Sequence, residues 1–213
     1  GPGDNGPGGN GPGGNGPYPV ILAIHGGAFM GGDKRDVQLQ PMLAGLQRGY
    51  VVASVNYRMS GEARFPALVH DIKAAIRWLR AHAEQFLLDP QRFAAWGGSA
   101  GGYLALMAGV TATAGGRVPA LDDPALGHAD QPGHVQAVVD WFGPTNFLLM
   151  DAQLAESGMA PPPAYAHSGA NSPESLLLGE QITLVPELVA AANPESYLHR
   201  GAPRFFLQHG DAD

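Results

Sequence analysis

Ser99 stands in the run Trp96-Gly97-Gly98-Ser99-Ala100-Gly101-Gly102, with glycine two residues before and two after it. A tight turn of that composition presents a serine hydroxyl as a nucleophile toward a carbonyl carbon. Upstream lies a second run, His25-Gly26-Gly27-Ala28-Phe29-Met30-Gly31-Gly32. Its successive glycines let the backbone approach a substrate closely, so the N–H groups of Gly26 and Gly27 are candidate donors to an oxyanion. The N–H of Ala100, opening an apolar helical pattern, is a third, reinforced by the positive end of that helix. His25 itself suits a bracing role within its loop. The 31 glycines make a G-x-S-x-G match a chance event for about 2% of serines, so context must decide. Here a strand pattern precedes Ser99 and a helix pattern follows it, the setting this motif requires.

Five apolar runs read as buried strands: Val20 to Ile24, Val51 to Tyr57, Arg92 to Trp96, Val135 to Phe142 and Arg204 to Gln208. Helical patterns fall between them. The strongest spans Ala67 to Phe86, where Val69, Ile72, Ile76, Leu79, Ala83 and Phe86 recur at spacings of three and four. Others run from Ala100 towards Ala112, from about Asp36 to Arg48, and from Leu184 to Ala192. This alternation predicts a mostly parallel α/β sheet with helices on both faces. Sites in such sheets open at the carboxyl ends of strands, where His25, Ser99 and Gly210 should gather.

Residues 1–17 are almost entirely Gly, Pro and Asn and read as a flexible tail, with a single domain over 18–213. Residues 143–200, which include Pro161-Pro162-Pro163, read as a lid-like excursion over the strand ends. A net charge of −7 argues against nucleic acid and anionic lipid as partners. The absence of cysteine excludes disulfides, thiolate catalysis and zinc–thiolate sites. No apolar stretch is long enough to cross a bilayer, and no signal peptide is visible. The compartment stays open between cytoplasmic and secreted with a leader removed.

Several segments together resemble the α/β-hydrolases. They are His25-Gly26-Gly27-Ala28-Phe29 with Gly32-Asp33-Lys34; Asn56-Tyr57-Arg58; Phe65-Pro66 with Asp71, Lys73-Ala74-Ala75 and Arg77-Trp78-Leu79; Asp89-Pro90; Gly98-Ser99-Ala100-Gly101-Gly102; and His209-Gly210-Asp211-Ala212-Asp213. Within that fold the chain is similar to esterases and lipases with an HGGG-type oxyanion loop, and more narrowly to carbohydrate-associated feruloyl and acetyl-xylan esterases. The resemblance implies Ser99 as nucleophile, Gly26, Gly27 and Ala100 as the oxyanion hole, and Asp213 as the triad acid with Asp211 as the fallback. Asp140, inside a predicted strand, is expected to be structural. Phe29, Met30, Tyr103, Trp141 and Phe142 are candidates for the pocket wall, though each also suits core packing. No metal or organic cofactor is implied, and the expected partner is a small-molecule or carbohydrate-linked ester.

The sequence departs from that pattern twice. The family's order is Ser, Asp, His, yet no histidine follows Asp213, and no opening strand pair precedes Val20. Both departures are expected of the middle of a longer esterase, lacking the usual opening strands and the last strand and helix. If these residues were the whole molecule, loss of the base would cost roughly 10⁶-fold in turnover. Two alternatives stay open: an arylformamidase- or peptidase-like serine hydrolase, and a non-catalytic binding module of hydrolase fold.

Overall fold

The computed structural model describes residues 16–113, 116–158 and 166–210. Residues 1–15 of the expected tail, Pro161-Pro162-Pro163, Asp211 and Asp213 lie outside the described residues.

Strand β1 (Tyr18–Ile24) is buried from Val20 to Ile24. An apolar run of this kind needs neighbours on both edges and cover on both faces. The edges are supplied by β2 (Val51–Val55) and β3 (Leu88–Gly98), both parallel to it. After a separate antiparallel pair, β4 (Ala112–Thr113) with β5 (Gly116–Arg117), come β6 (Ala137–Trp141) and β7 (Arg204–Gln208). The main sheet has the order β2-β1-β3-β6-β7, parallel throughout. The chain runs outward from β1 to β2, then returns to the other side of β1 for β3. That reversal leaves a crevice at the carboxyl ends of β1 and β3. Register fixes what meets there, because Ile24 pairs with Gly97, Gly97 with Asp140, and Asp140 with Leu207. The next residues along each strand form one row at the sheet's edge.

Helix α1 (Ala67–Ala81) buries Leu68, Val69, Ile72, Ile76 and Leu79. Its spacing predicts a helix to Phe86, but the helix ends at Ala81. Leu87 takes a positive φ of 54°, and the Leu88 N–H donates to the Ala83 carbonyl, which turns the chain into β3 early. The same helix buries three cations that bind the 111–134 segment. Lys73 donates to the Thr111 carbonyl, and Arg77 pairs with Asp122 and donates to the Gly127 and Asp123 carbonyls. Arg80 donates to the carbonyls of Pro90, Pro132 and His134. These bonds satisfy backbone groups that a long connection would otherwise bury unpaired.

Helix α2 (Ala100–Val110) is buried on every side, packed against β3, β6 and α1. On the other face Val37–Arg48 forms a 3-10 helix that contacts β1, β2 and β3. Residues 143–200 carry α3 (Met150–Glu156), α4 (Pro173–Leu178) and α5 (Pro186–Ala192). Strand β7 is an edge strand on which Phe206 and Leu207 are exposed. No helix among the described residues is long and apolar enough to cross a membrane.

Candidate active site

Ser99 occupies the turn from β3 into α2 with φ 55° and ψ −124°. A non-glycine residue there carries on the order of 1–3 kcal/mol of strain, held in place by its surroundings. The surroundings are backbone. The Ser99 N–H donates to the Trp141 carbonyl at 2.8 Å, and its carbonyl accepts from the Tyr103 N–H at 3.0 Å. A side chain at Gly97 would strike Gly101, and one at Gly101 would strike the Ile24 and His25 carbonyls. The glycines flanking Ser99 are therefore required by close approach of the strand, the turn and the helix.

The loop after β1 faces this turn. Its backbone coils through positive φ at Gly27 (124°), Ala28 (54°) and Phe29 (62°), and the Met30 and Gly31 N–H groups close onto the Gly27 carbonyl. His25 is fully buried, stacked on Tyr57 at 4.6 Å, with Nδ1 2.7 Å from the Gly26 carbonyl oxygen. The Tyr57 hydroxyl donates to the His25 carbonyl, and burial pushes its phenol well above the ordinary range. His25 thus braces the loop and is not open to solvent.

A cleft of about 940 Å³ opens beside Ser99, lined there by Ala28, Phe29, Ala100 and Phe142. The N–H groups expected to face this cleft differ in whether they are already engaged. The Gly26 N–H donates to Gln38 Oε1 at 3.0 Å and is engaged. The Gly27 and Ala28 N–H groups have no acceptor among the described residues. Ala100 is the first residue of α2, so its N–H has no intrahelical acceptor.

Of the expected pocket residues, Phe29 reaches the cleft, though it is only 1% exposed. Met30 lines a second cavity of about 510 Å³ on the other side of the loop. Tyr103 is completely buried beneath Phe29 and Phe147, its hydroxyl donating to the Ala192 carbonyl, so it supports the wall from behind. Trp141 contributes its carbonyl to Ser99, while its ring packs on Trp96 away from the cleft. Asp140 does more than its strand position suggests. Its carboxylate reaches the cleft, accepts the Gly143 N–H at 2.9 Å, and is pushed up to about 6 by burial. His209 also borders the cleft, and its charge partly offsets that rise. The far wall comes from residues 143–200, including His167 and Glu174, which residue type and spacing did not single out.

A strained serine at a topological switch point, facing a coiled glycine loop, defines the chain as an α/β-hydrolase. It belongs to the BD-FAE family, whose model matches residues 11–213. Esterase LipQ of Mycobacterium tuberculosis is 31% identical over 201 residues, covering 92% of this chain and 42% of that protein. The probable carboxylic ester hydrolase LipM of the same organism is 30% identical over 198 residues, covering 92% and 41%. The chain thus spans about two-fifths of the length of these curated relatives. Among solved structures, a bifunctional GH43-CE protein of Bacteroides eggerthii superposes with a TM-score of 0.75 at 32% identity, covering 89% of this chain and 26% of that one. A truncated carbohydrate esterase from gut microbiota gives 0.74 at 31%, covering 92% and 67%.

Proposed function

We propose that this chain carries the nucleophile and oxyanion hole of a serine carboxylic-ester hydrolase acting on short acyl, acetyl or hydroxycinnamoyl esters, including sugar-linked ones. The observation that carries the reading is the strained Ser99 beside N–H groups that have no acceptor among the described residues. Ser99 Oγ attacks the ester carbonyl and gives its proton to a histidine base oriented by a carboxylate, for which Asp213 is the proposed residue. The carbonyl oxygen, now negative, accepts hydrogen bonds from Gly27, Ala28 and Ala100. Collapse expels the alcohol, which takes the proton back from the base and leaves an acyl group on Ser99. Water, deprotonated by the same base, then releases the carboxylic acid. The names of the relatives, esterases and carbohydrate esterases, support this substrate class.

The test is p-nitrophenyl acetate with mass analysis of the quenched protein. The reading expects an acetyl group on the Ser99 peptide and its loss in Ser99→Ala. Hydrolysis that survives Ser99→Ala unchanged would end it.

A further inference from the structure

The loop that follows β1 is held one peptide at a time. A trans peptide is a rigid plane with its C=O and N–H on opposite edges, so a partner on one edge aims the other. In the His25–Gly26 peptide the carbonyl accepts the Tyr57 hydroxyl at 2.8 Å, and the N–H donates to Gln38 Oε1 at 3.0 Å. In the Gly26–Gly27 peptide the carbonyl oxygen lies 2.7 Å from His25 Nδ1, and the opposite edge presents the Gly27 N–H, which has no acceptor among the described residues. Gly26 is also where the loop meets the nucleophile turn. A Cβ there would lie 2.8 Å from the Gly98 carbonyl oxygen and 3.3 Å from Ser99 Cβ. His25 and Tyr57 are buried, so packing sets their orientations. Gln38 is exposed, the second residue of the 3-10 helix, and packing does not fix its amide.

Asp36 supplies the missing restraint. Its Oδ2 accepts Gln38 Nε2–H at 3.2 Å and the Asp33 N–H at 3.0 Å, while the Asp36 N–H donates to the Asp33 carbonyl at 2.9 Å. Asp33 is fixed in turn by Asn56 Nδ2, which donates to it at 3.1 Å from just beyond β2. Between these partners the Gln38 amide has one satisfactory orientation. Turned over, its NH2 would face the Gly26 N–H and its oxygen a carboxylate, donor on donor and acceptor on acceptor. We infer that Asp36 is a positioning residue for the Ser99 site: it holds the Gln38 amide, and through it the Gly26 peptide from which the Gly27 and Ala28 donors follow. This rests on the serine-esterase reading of Ser99. Neither Asp36 nor Gln38 lines the cleft, so they act on the geometry of the loop and not by touching substrate.

The experiment takes two readouts on the full chain: hydrogen exchange of the Gly26 amide by NMR, and fluorophosphonate labelling of Ser99. Asp36→Ala should speed the exchange about tenfold, since a hydrogen bond loses its support. It should slow labelling about fivefold at saturating probe and leave the half-saturating concentration unchanged, because the donors meet charge that develops only in the transition state. Asp36→Asn keeps an oxygen acceptor and should bring both readouts within about twofold of the parent. In a Gln38→Ala background, Asp36→Ala should slow labelling no further, because the two residues act in series. Asp36→Ser suits the start of the helix but falls short of Gln38 Nε2, and it should behave as Asp36→Ala does if that variant folds poorly. Unchanged exchange at Gly26, an Asn variant as impaired as Ala, or slowing that multiplies across the pair overturns the inference. A chain that exchanges as expected but never labels at Ser99 ends the esterase reading, while the exchange result still decides whether Asp36 holds the loop.

Discussion

Replacing Gly101 with alanine puts one methyl group where the protein has only backbone. The new Cβ would lie against the Ile24 carbonyl oxygen, 2.7 Å from the His25 carbonyl oxygen and 2.8 Å from the Ile24 carbonyl carbon. None of these atoms can rotate away, so α2 must retreat from β1. Overpacking of this kind costs about 1–3 kcal/mol, and the rigidity of backbone argues for about 3. For a chain of this size that lowers Tm by about 6–12 °C. The retreat also separates Ser99 from the Gly27–Ala28 loop, and a displacement near 1 Å should slow its chemistry on the order of 10²-fold. The assays are thermal unfolding and the rate of fluorophosphonate labelling at Ser99. Gly61→Ala is the control, since an added Cβ there meets nothing within 4 Å, and it should stay within about 0.5 kcal/mol of the parent. A Gly101→Ala chain that melts and labels like the parent would show that close approach of backbone does not set the geometry of Ser99.

Three further outcomes are expected. Gln38→Ala takes away the acceptor of the Gly26 N–H, so labelling of Ser99 should slow about tenfold with a stability loss of about 1 kcal/mol; an unchanged rate would show that Gln38 does not hold the loop. Arg77→Met leaves Asp122 buried without its guanidinium and should cost about 3–5 kcal/mol in urea unfolding, with Arg77→Met/Asp122→Leu recovering part of it. Asp140 in the folded chain holds its proton up to about pH 6, well above an unfolded carboxyl, so between about pH 4 and 6 the unfolded state releases a proton that the folded state keeps. Native stability is therefore lost as pH rises through that window. Asp140→Asn removes the effect, and its Tm relative to the parent should climb from pH 4 to 6 and then level off; a relative Tm that falls there contradicts the burial argument.

The five strands of the main sheet were legible because each is an apolar run ended by glycine, polar or turn residues, and their carboxyl ends brought Ser99 and the His25 loop together. Other features depend on tertiary contacts. The apolar spacing through Phe86 continues past the end of α1, because Trp78, His82 and Phe86 stack on one another at the surface. Residues 37–48 keep a helical pattern but wind as a 3-10 helix with Pro41 inside it. At the site, composition marked a glycine loop without saying which N–H Gln38 would claim. Aromatic type likewise did not distinguish Phe29, which reaches the cleft, from Tyr103 beneath it or Met30 on the loop's far side. His167 and Glu174 carry no motif; they meet because the 166–172 turns fold back onto α4, a contact that no periodicity announces.

Fluorophosphonate labelling followed by peptide mapping tests the central claim most directly. The account predicts a single phosphonylated residue, Ser99, and no labelling in Ser99→Ala. A folded chain that stays unlabelled, or that carries the label on another serine, would contradict it.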